Sequence, residues 1–377
     1  MTLDFALFNY FPYGGLQRDF LKTAIECQKL GHDINVYTSQ WQGACPDGFT
    51  INRLPIQGSS NHRRMESFQQ QLVRATGSRS NLLIGFNKLA GLDIYFASDT
   101  CYREKAMAER SLIYRWTPRY KAYEKLEQAV FAAKASTLIL TLTQQQITDF
   151  QRHYQTPPER FKLLPPGISR NTLLENRATI REELGKKLNI PATDLVLLLV
   201  GSSFKTKGLD RAIKALAALP EKRQQTVKLL VAGGDKQDRF IALTRKLGLS
   251  DNTIHFLGAR DDIQQLMLAA DLLIHPAYTE SAGMVLVEAL AAGLPVLTTE
   301  NCGYAFHITA ADAGVVLPSP FQQPALNRHL NEIISSSQHR MQWHNNAKTY
   351  AAKTDLYSLH QQAAKIIDQQ AQILLNQ

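Results

Sequence analysis

Short apolar runs alternate with amphipathic segments along the whole chain, a pattern that predicts parallel βαβ units with right-handed crossovers. In the first half the runs predict strands at 3–8, 34–38, 51–56, 82–86, 94–97 and 137–142, with a first helix at 16–30. Leu163-Leu164-Pro165-Pro166-Gly167 then ends any regular element, because two prolines and a glycine cannot continue a helix or a strand. A second series follows at 195–200, 227–232, 254–257, 272–275, 296–299 and 315–317, with helices between. From about 322 the chain reads as helical and rich in Gln and Ala. The expected architecture is α/β: two similar halves with parallel sheets, 1–165 and 166–350, facing across a cleft. Residues 351–377 form a last helix expected to return to the first half.

Composition narrows the class without choosing a function. A 377-residue chain with 44% hydrophobic and 20% charged residues is globular and long enough for two cores. Cys27, Cys45, Cys101 and Cys302 lie far apart, with no C-x-x-C pair or zinc spacing, which predicts buried free thiols in a reducing compartment. No run approaches the ~18 apolar residues of a membrane span, and no basic leader precedes an apolar stretch. A cytoplasmic protein is expected. The formal charge of +9 favours an anionic partner: nucleotide, nucleic acid, phosphorylated sugar or membrane surface.

Candidate chemistry gathers where strands turn into helices. Glu280 and Glu288 flank Ser281-Ala282-Gly283 and an apolar helix, so the first carboxylate is expected in the capping loop and the second roughly two turns down. The amides of Gly283, Met284 and Val285 would be unsatisfied helix-start donors, a ready anion site. A solvated Glu beside a capped core helix is the plainer reading. Tyr13-Gly14-Gly15-Leu16 after the first strand allows close backbone approach to a ligand or is simply a tight turn, and it lacks G-x-G-x-x-G. In 200–210, Lys205 and Lys207 precede Gly208, either clamping a pyrophosphate or decorating a polar loop; Walker A is not met. Arg260, after 254–257, stands where it could border a nucleobase. Asp99 ends 94–97 and either takes a substrate hydroxyl, acts as a base or caps the next helix.

One segment stands apart from this pattern. In 102–128, Arg103, Lys105, Arg110, Arg115, Arg119, Lys121 and Lys125 are interleaved with Tyr102, Tyr114, Trp116, Tyr120 and Tyr123. Surface-lying membrane segments and nucleic-acid sites use these residue types. Glu104, Glu109, Glu124 and Glu127 lower its net charge, and Pro118 is expected to break its helix. An anionic membrane surface is the expected partner, with nucleic acid not expected and an ordinary charged surface helix as the alternative.

The glycine-rich first corner, Lys207-Gly208, Glu280-Ser281-Ala282-Gly283, Glu288-Ala289 and Gly293-Leu294-Pro295-Val296, in order along the whole chain, resemble the retaining GT-B glycosyltransferases with a Glu-x7-Glu signature. The strings from Asn9 to Phe20, Gly85-Phe86-Asn87-Lys88, and His153-Tyr154-Gln155-Thr156 through Leu164-Pro165-Pro166-Gly167-Ile168 are similar to the lipopolysaccharide core heptose glucosyltransferases. The resemblance implies two Rossmann-like domains, the first facing acceptor and membrane and the second holding the sugar nucleotide. It implies glucose transfer from UDP-glucose to an inner-core heptose, with retention and no cofactor, on the cytoplasmic face of the inner membrane. A metal is not expected, since no acidic cluster adjoins the site. Glu288 would hold the ribose and Glu280 the glucose hydroxyls. The amides at Ala282, Gly283, Met284 and Val285 would bind the pyrophosphate with Lys207, and Gly14, Gly15 and Asp19 would close over it. Asp99 would lie near the reacting sugar. Thr206 stands where the close relatives have an arginine, so Lys205 or Arg170 is expected to supply the second positive charge. Open alternatives are a hexosyltransferase with another donor or acceptor, a sugar-nucleotide epimerase, a phosphorylase and a non-catalytic scaffold.

Overall fold

A run such as Leu195–Val200, six apolar residues without alternation, is stable only as a strand covered on both faces, and its four central residues are buried. The computed structural model describes every residue except Tyr13, Ser78, Arg79, 170–176 and Gln377. It divides into two units, Met1–Pro165 with Ser358–Gln377, and Pro166–Tyr357.

In the first unit the strands are β1 (Thr2–Ala6), β2 (Asn9–Tyr10), β3 (Asp33–Thr38), β4 (Gln40–Trp41), β5 (Phe49–Arg53), β6 (Leu83–Gly85), β7 (Ile94–Ala97), β8 (Leu138–Thr141) and β9 (Phe161–Leu163). Seven of them form a parallel sheet in the order β5-β3-β1-β6-β7-β8-β9, and β2 pairs with β4 separately. The strand β9 is not among the predicted runs, though the stop at 163–167 is where it ends. Phe161–Leu163 pairs with β8, and the prolines follow the strand rather than replace it.

The second unit carries β10 (Leu195–Val200), β11 (Val227–Ala232), β12 (Ile254–Gly258), β13 (Leu272–His275), β14 (Val296–Thr299) and β15 (Gly314–Leu317), all parallel, in the order β12-β11-β10-β13-β14-β15. Counted within its own sheet, the second runs 3-2-1-4-5-6 and the first 3-2-1-4-5-6-7, the doubly wound order with one further edge strand. The order reverses between β1 and β6 in one unit and between β10 and β13 in the other. Ligands of such sheets bind outside the carboxyl ends at that reversal.

The expected boundary near 350 falls inside the helix Ser337–Lys353; the chain leaves the second unit at Tyr357. The last helix, Leu359–Leu375, packs against the helix Gly15–Lys29 and buries Leu359, Ala363, Ala364, Ile367 and Ala371. Two polar contacts fasten it: His360 Nε2 lies 3.0 Å from Asp19 Oδ1, and His32 Nε2 lies 2.9 Å from Asp368 Oδ1. Among the described residues no helix is long and apolar enough to cross a membrane. Cys27, Cys101 and Cys302 are buried free thiols, whereas Cys45 is exposed.

Candidate active site

At the reversal in the second sheet, β10 and β13 pair directly and each exits into a loop that ends on a left-handed glycine. Gly208 (φ 79°) caps the helix Leu209–Ala217, and Gly283 (φ 83°) caps the helix Met284–Ala291. The backbone at Gly208 presses on the other loop: a Cβ there would sit 2.0 Å from the Pro276 carbonyl oxygen. Only glycine allows this close approach at positive φ.

Hydrogen bonds lock the two loops together. The Tyr278 amide donates to the Thr206 carbonyl (2.8 Å), which places Lys207 and Glu280 next to one another. Arg211, stacked on Tyr278 and Phe321, donates to the carbonyls of Pro276 and Ala277 at 3.0 Å each. Glu280 is tied on both sides of its own peptide: its amide donates to Asn301 (3.0 Å), and its carbonyl accepts from Gly303 (3.2 Å).

The Glu280 carboxylate therefore has a fixed address. It accepts from the Lys207 ammonium, and the two side chains are only 17% and 20% exposed. His275, the last residue of β13, is fully buried with Nε2 3.7 Å from that carboxylate. Burial pushes the Glu280 carboxyl up, but His275 and Lys207 outweigh it and hold it at about 2. Burial likewise pushes the His275 imidazole down, and Cys302 and Glu280 overcome that and raise it.

Glu288 is the fifth residue of Met284–Ala291, so it lies little more than one turn inside the helix rather than two. Gly283 offers no side-chain cap and the first turn has no acidic residue. The start of that helix, at Ala282, Gly283, Met284 and Val285, thus presents backbone donors and the positive end of the helix dipole.

Other expected residues are placed differently. The Lys205 ammonium lies 2.6 Å from Asp210 Oδ2 and 2.7 Å from the Tyr278 hydroxyl, so its charge is matched and it braces the loop that carries Lys207. Arg260 makes a two-pronged pair with Asp262 at the exit of the edge strand β12, two strands or about 10 Å from β10. Arg170 lies outside the described residues. Among the described residues no group of three His, Cys, Asp or Glu side chains is arranged to hold a metal.

Gly14, Gly15, Asp19 and Asp99 belong to the first unit. Gly14 is the uncapped N-cap of Gly15–Lys29, at the exit of β1 beside the reversal of the first sheet. Asp19 Oδ1 lies 3.0 Å from His360 Nε2. Asp99 is exposed beyond β7 and is not the cap of the next helix, Tyr102–Glu109, whose N-cap is Cys101.

In the basic-aromatic segment, Pro118 starts a helix rather than breaking one: it is the first residue of Pro118–Phe131, capped by the Thr117 side chain. The tyrosines largely pack on each other, with Tyr102 and Tyr114 hydroxyls 2.9 Å apart. The turn Leu112–Trp116 instead holds out Leu112, Ile113 and Trp116, each at least 74% exposed, of which the sequence reading named only Trp116. Sequence reasoning also passed over His275, Asp210, Arg211 and Tyr278. An ionisable residue closing an apolar strand, as in Leu-Leu-Ile-His, was the available signal for the first.

Residues 180–350 match the family model described as glycosyl transferases group 1. Over 372 residues the chain is 46% identical to the lipopolysaccharide glucosyltransferase WaaG of Escherichia coli (strain K12), covering 97% of this chain and 98% of that protein. The crystal structure of WaaG superimposes with a TM-score of 0.90 at 45% identity, covering 97% of this chain and 99% of that one. HepE from Anabaena, solved with UDP and glucose, shares the fold at 20% identity, with a TM-score of 0.73 and coverage of 98% of this chain and 100% of that one. Near-complete coverage of a 46% identical glycosyltransferase, on paired doubly wound sheets of GT-B type, shows that the chain belongs to the group 1 glycosyltransferases.

Proposed function

We propose that this enzyme transfers glucose from UDP-glucose to a heptose of the lipopolysaccharide inner core, with retention and without a metal. The observation that carries the reading is the Lys207–Glu280 pair, set at the β10/β13 reversal beside an uncapped helix start. A 46% identical relative named as a lipopolysaccharide glucosyltransferase supports the donor and acceptor.

In this reading the pyrophosphate lies on the amides at 282–285, and Lys207 moves from Glu280 to the leaving phosphate. Glu280 then holds glucose hydroxyls and Glu288 the ribose. As the bond from the anomeric carbon to UDP breaks, charge grows on the phosphate, where the fixed amides and the Lys207 ammonium, once it has left Glu280, stabilise it. The acceptor hydroxyl attacks the same face and its proton passes to the departing phosphate. Asp99 holds an acceptor hydroxyl. Because these charges come from the chain itself, turnover is expected to survive chelation.

The same proposal places the enzyme peripherally on the cytoplasmic face of the inner membrane. Leu112, Ile113 and Trp116 supply an exposed apolar payload, and Lys105, Arg110, Arg119 and Lys121 are exposed around it. Neutralising Arg115, Arg119 and Lys121 should weaken binding to anionic liposomes and leave UDP affinity unchanged. Equal binding to neutral vesicles at raised salt would contradict an electrostatic anchor.

The deciding assay is UDP release with a panel of sugar nucleotides, with and without heptose-terminated core lipopolysaccharide, in the presence of EDTA. The reading requires acceptor-dependent release from UDP-glucose. Donor consumption without acceptor would indicate an epimerase, and loss of activity with EDTA would overturn metal independence.

A further inference from the structure

Glu127 is one of the four acids that lower the net charge of the basic segment, yet its side chain is completely buried, and an ionised carboxylate stays in such a place only when its partners replace water. Five donors converge on it. Lys88 Nζ lies 2.5 Å from Oε2, the Tyr154 hydroxyl 2.6 Å from Oε1, and the Cys101 thiol 3.5 Å from Oε1. The backbone amides of Tyr102 and Arg103, at the start of the helix Tyr102–Glu109, donate at 2.7 and 3.1 Å. Burial pushes the Glu127 carboxyl up, but Lys88 and the hydrogen bonds from Tyr154 and Tyr102 outweigh it and leave it ionised below its ordinary range.

The partners of this carboxylate share one further target. Lys88 also donates to the Thr100 carbonyl (2.8 Å), and Gln146 donates to the carbonyls of Ala97 (2.8 Å) and Asp99 (3.1 Å). The segment 97–103, from the end of β7 to the start of the next helix, is therefore gripped at both its carbonyl and its amide side by the side chains of Glu127, Lys88 and Gln146. Asp99 sits in the middle of that grip, exposed. Glu127 belongs to the same helix, Pro118–Phe131, that carries Arg119, Lys121 and Lys125 of the basic segment. Lys88 follows β6, which lies beside β1 at the reversal of the first sheet.

We propose that Glu127, through Lys88, is a positioning residue for the transfer: it fixes the Asp99 loop and fastens the basic-aromatic segment to the sheet end that carries that loop. This rests on the reading of Asp99 as an acceptor-holding group. Lys88 in the Gly85-Phe86-Asn87-Lys88 string must carry a charge, since a neutral residue there would leave Glu127 buried with an unmatched charge.

Glu127→Gln keeps the shape and removes the charge. Expected are a fall in kcat of about 10-fold or more and a rise in acceptor KM, with the Kd for UDP unchanged, measured well below the unfolding temperature. Amides 98–105 should exchange hydrogen at least 10-fold faster, with the strands of the first sheet unaffected. Asp99→Ala and the double variant complete a cycle. If Glu127 acts through Asp99, the double variant is no worse than the poorer single one, whereas multiplicative losses overturn the positioning role. Unchanged exchange at 98–105 overturns the clamp itself. Should Asp99→Ala turn over normally, the reading of Asp99 fails, and the exchange measurement alone then decides the clamp. If Glu127→Gln does not fold, Glu127→Gln with Lys88→Met removes both charges and is put through the same measurements.

Discussion

Replacing Lys207 by methionine takes one positive charge from Glu280 and keeps a chain of similar length across Gly201, where the lysine side chain packs. The gap between 4.5, ordinary for an exposed glutamate, and the value of about 2 held here is worth about 3 kcal/mol in favour of the charged form. Burial works against that preference, and His275 and Lys207 together create it. A carboxyl whose folded value is depressed stabilises the protein fully above its unfolded value near 4.5, and the contribution disappears as pH falls through about 2. With His275 left alone, the carboxyl moves back up, so stability near neutral pH falls by about 1–2 kcal/mol and acid unfolding begins at higher pH. Turnover should suffer more, because losing a fixed cation at the leaving phosphate costs about 3 kcal/mol, or roughly 10²-fold in kcat. The assay is UDP release at saturating donor, run beside thermal unfolding at neutral pH and near pH 4. Lys207→Arg restores the charge and should recover part of both losses. Turnover of Lys207→Met within threefold of wild type would refute the role at the phosphate, and an unchanged acid limb would refute the electrostatic account of Glu280.

Three further outcomes are expected. Glu288→Gln should weaken UDP binding by about 2 kcal/mol, roughly 30-fold in Kd by titration calorimetry; a Kd within threefold of wild type would remove it from the ribose. Gly208→Ala puts a methyl 2.0 Å from the Pro276 carbonyl at φ 79° and should cost about 2–4 kcal/mol and most of the activity. Gly258→Ala, at φ 69° but facing open space, should cost only about 1 kcal/mol in the same thermal unfolding experiment. Ile367→Ala, in the last helix and fully buried, should destabilise the first unit by about 3 kcal/mol in denaturant titration while UDP affinity stays unchanged; weakened UDP binding would contradict that separation.

The strands were readable because a doubly covered parallel sheet demands unbroken apolar runs, and segments such as 195–200 and 227–232 contain almost nothing else. Very short strands escaped: Asn9–Tyr10, Gln40–Trp41 and Phe161–Leu163 have too few residues for a period to show. Lys207, Glu280 and Gly283 were readable from their places at strand ends, where a sheet of this order collects ligand chemistry. Side-chain partners were not. Nothing local distinguishes Glu127, fully buried, from its solvated neighbour Glu109, nor says that Lys205 is matched by Asp210 and Asp19 by His360. Those pairings span 5 to 341 positions along the chain, and the longest exists only once the last helix packs on the first.

The most direct test is a crystal structure with UDP-glucose bound. The account predicts pyrophosphate oxygens about 3 Å from the amides of Met284 and Val285 and from Lys207 Nζ, with Glu288 on the ribose and Glu280 released from the lysine onto glucose hydroxyls. A pyrophosphate seated away from the start of Met284–Ala291, with Lys207 still bound to Glu280, would contradict it.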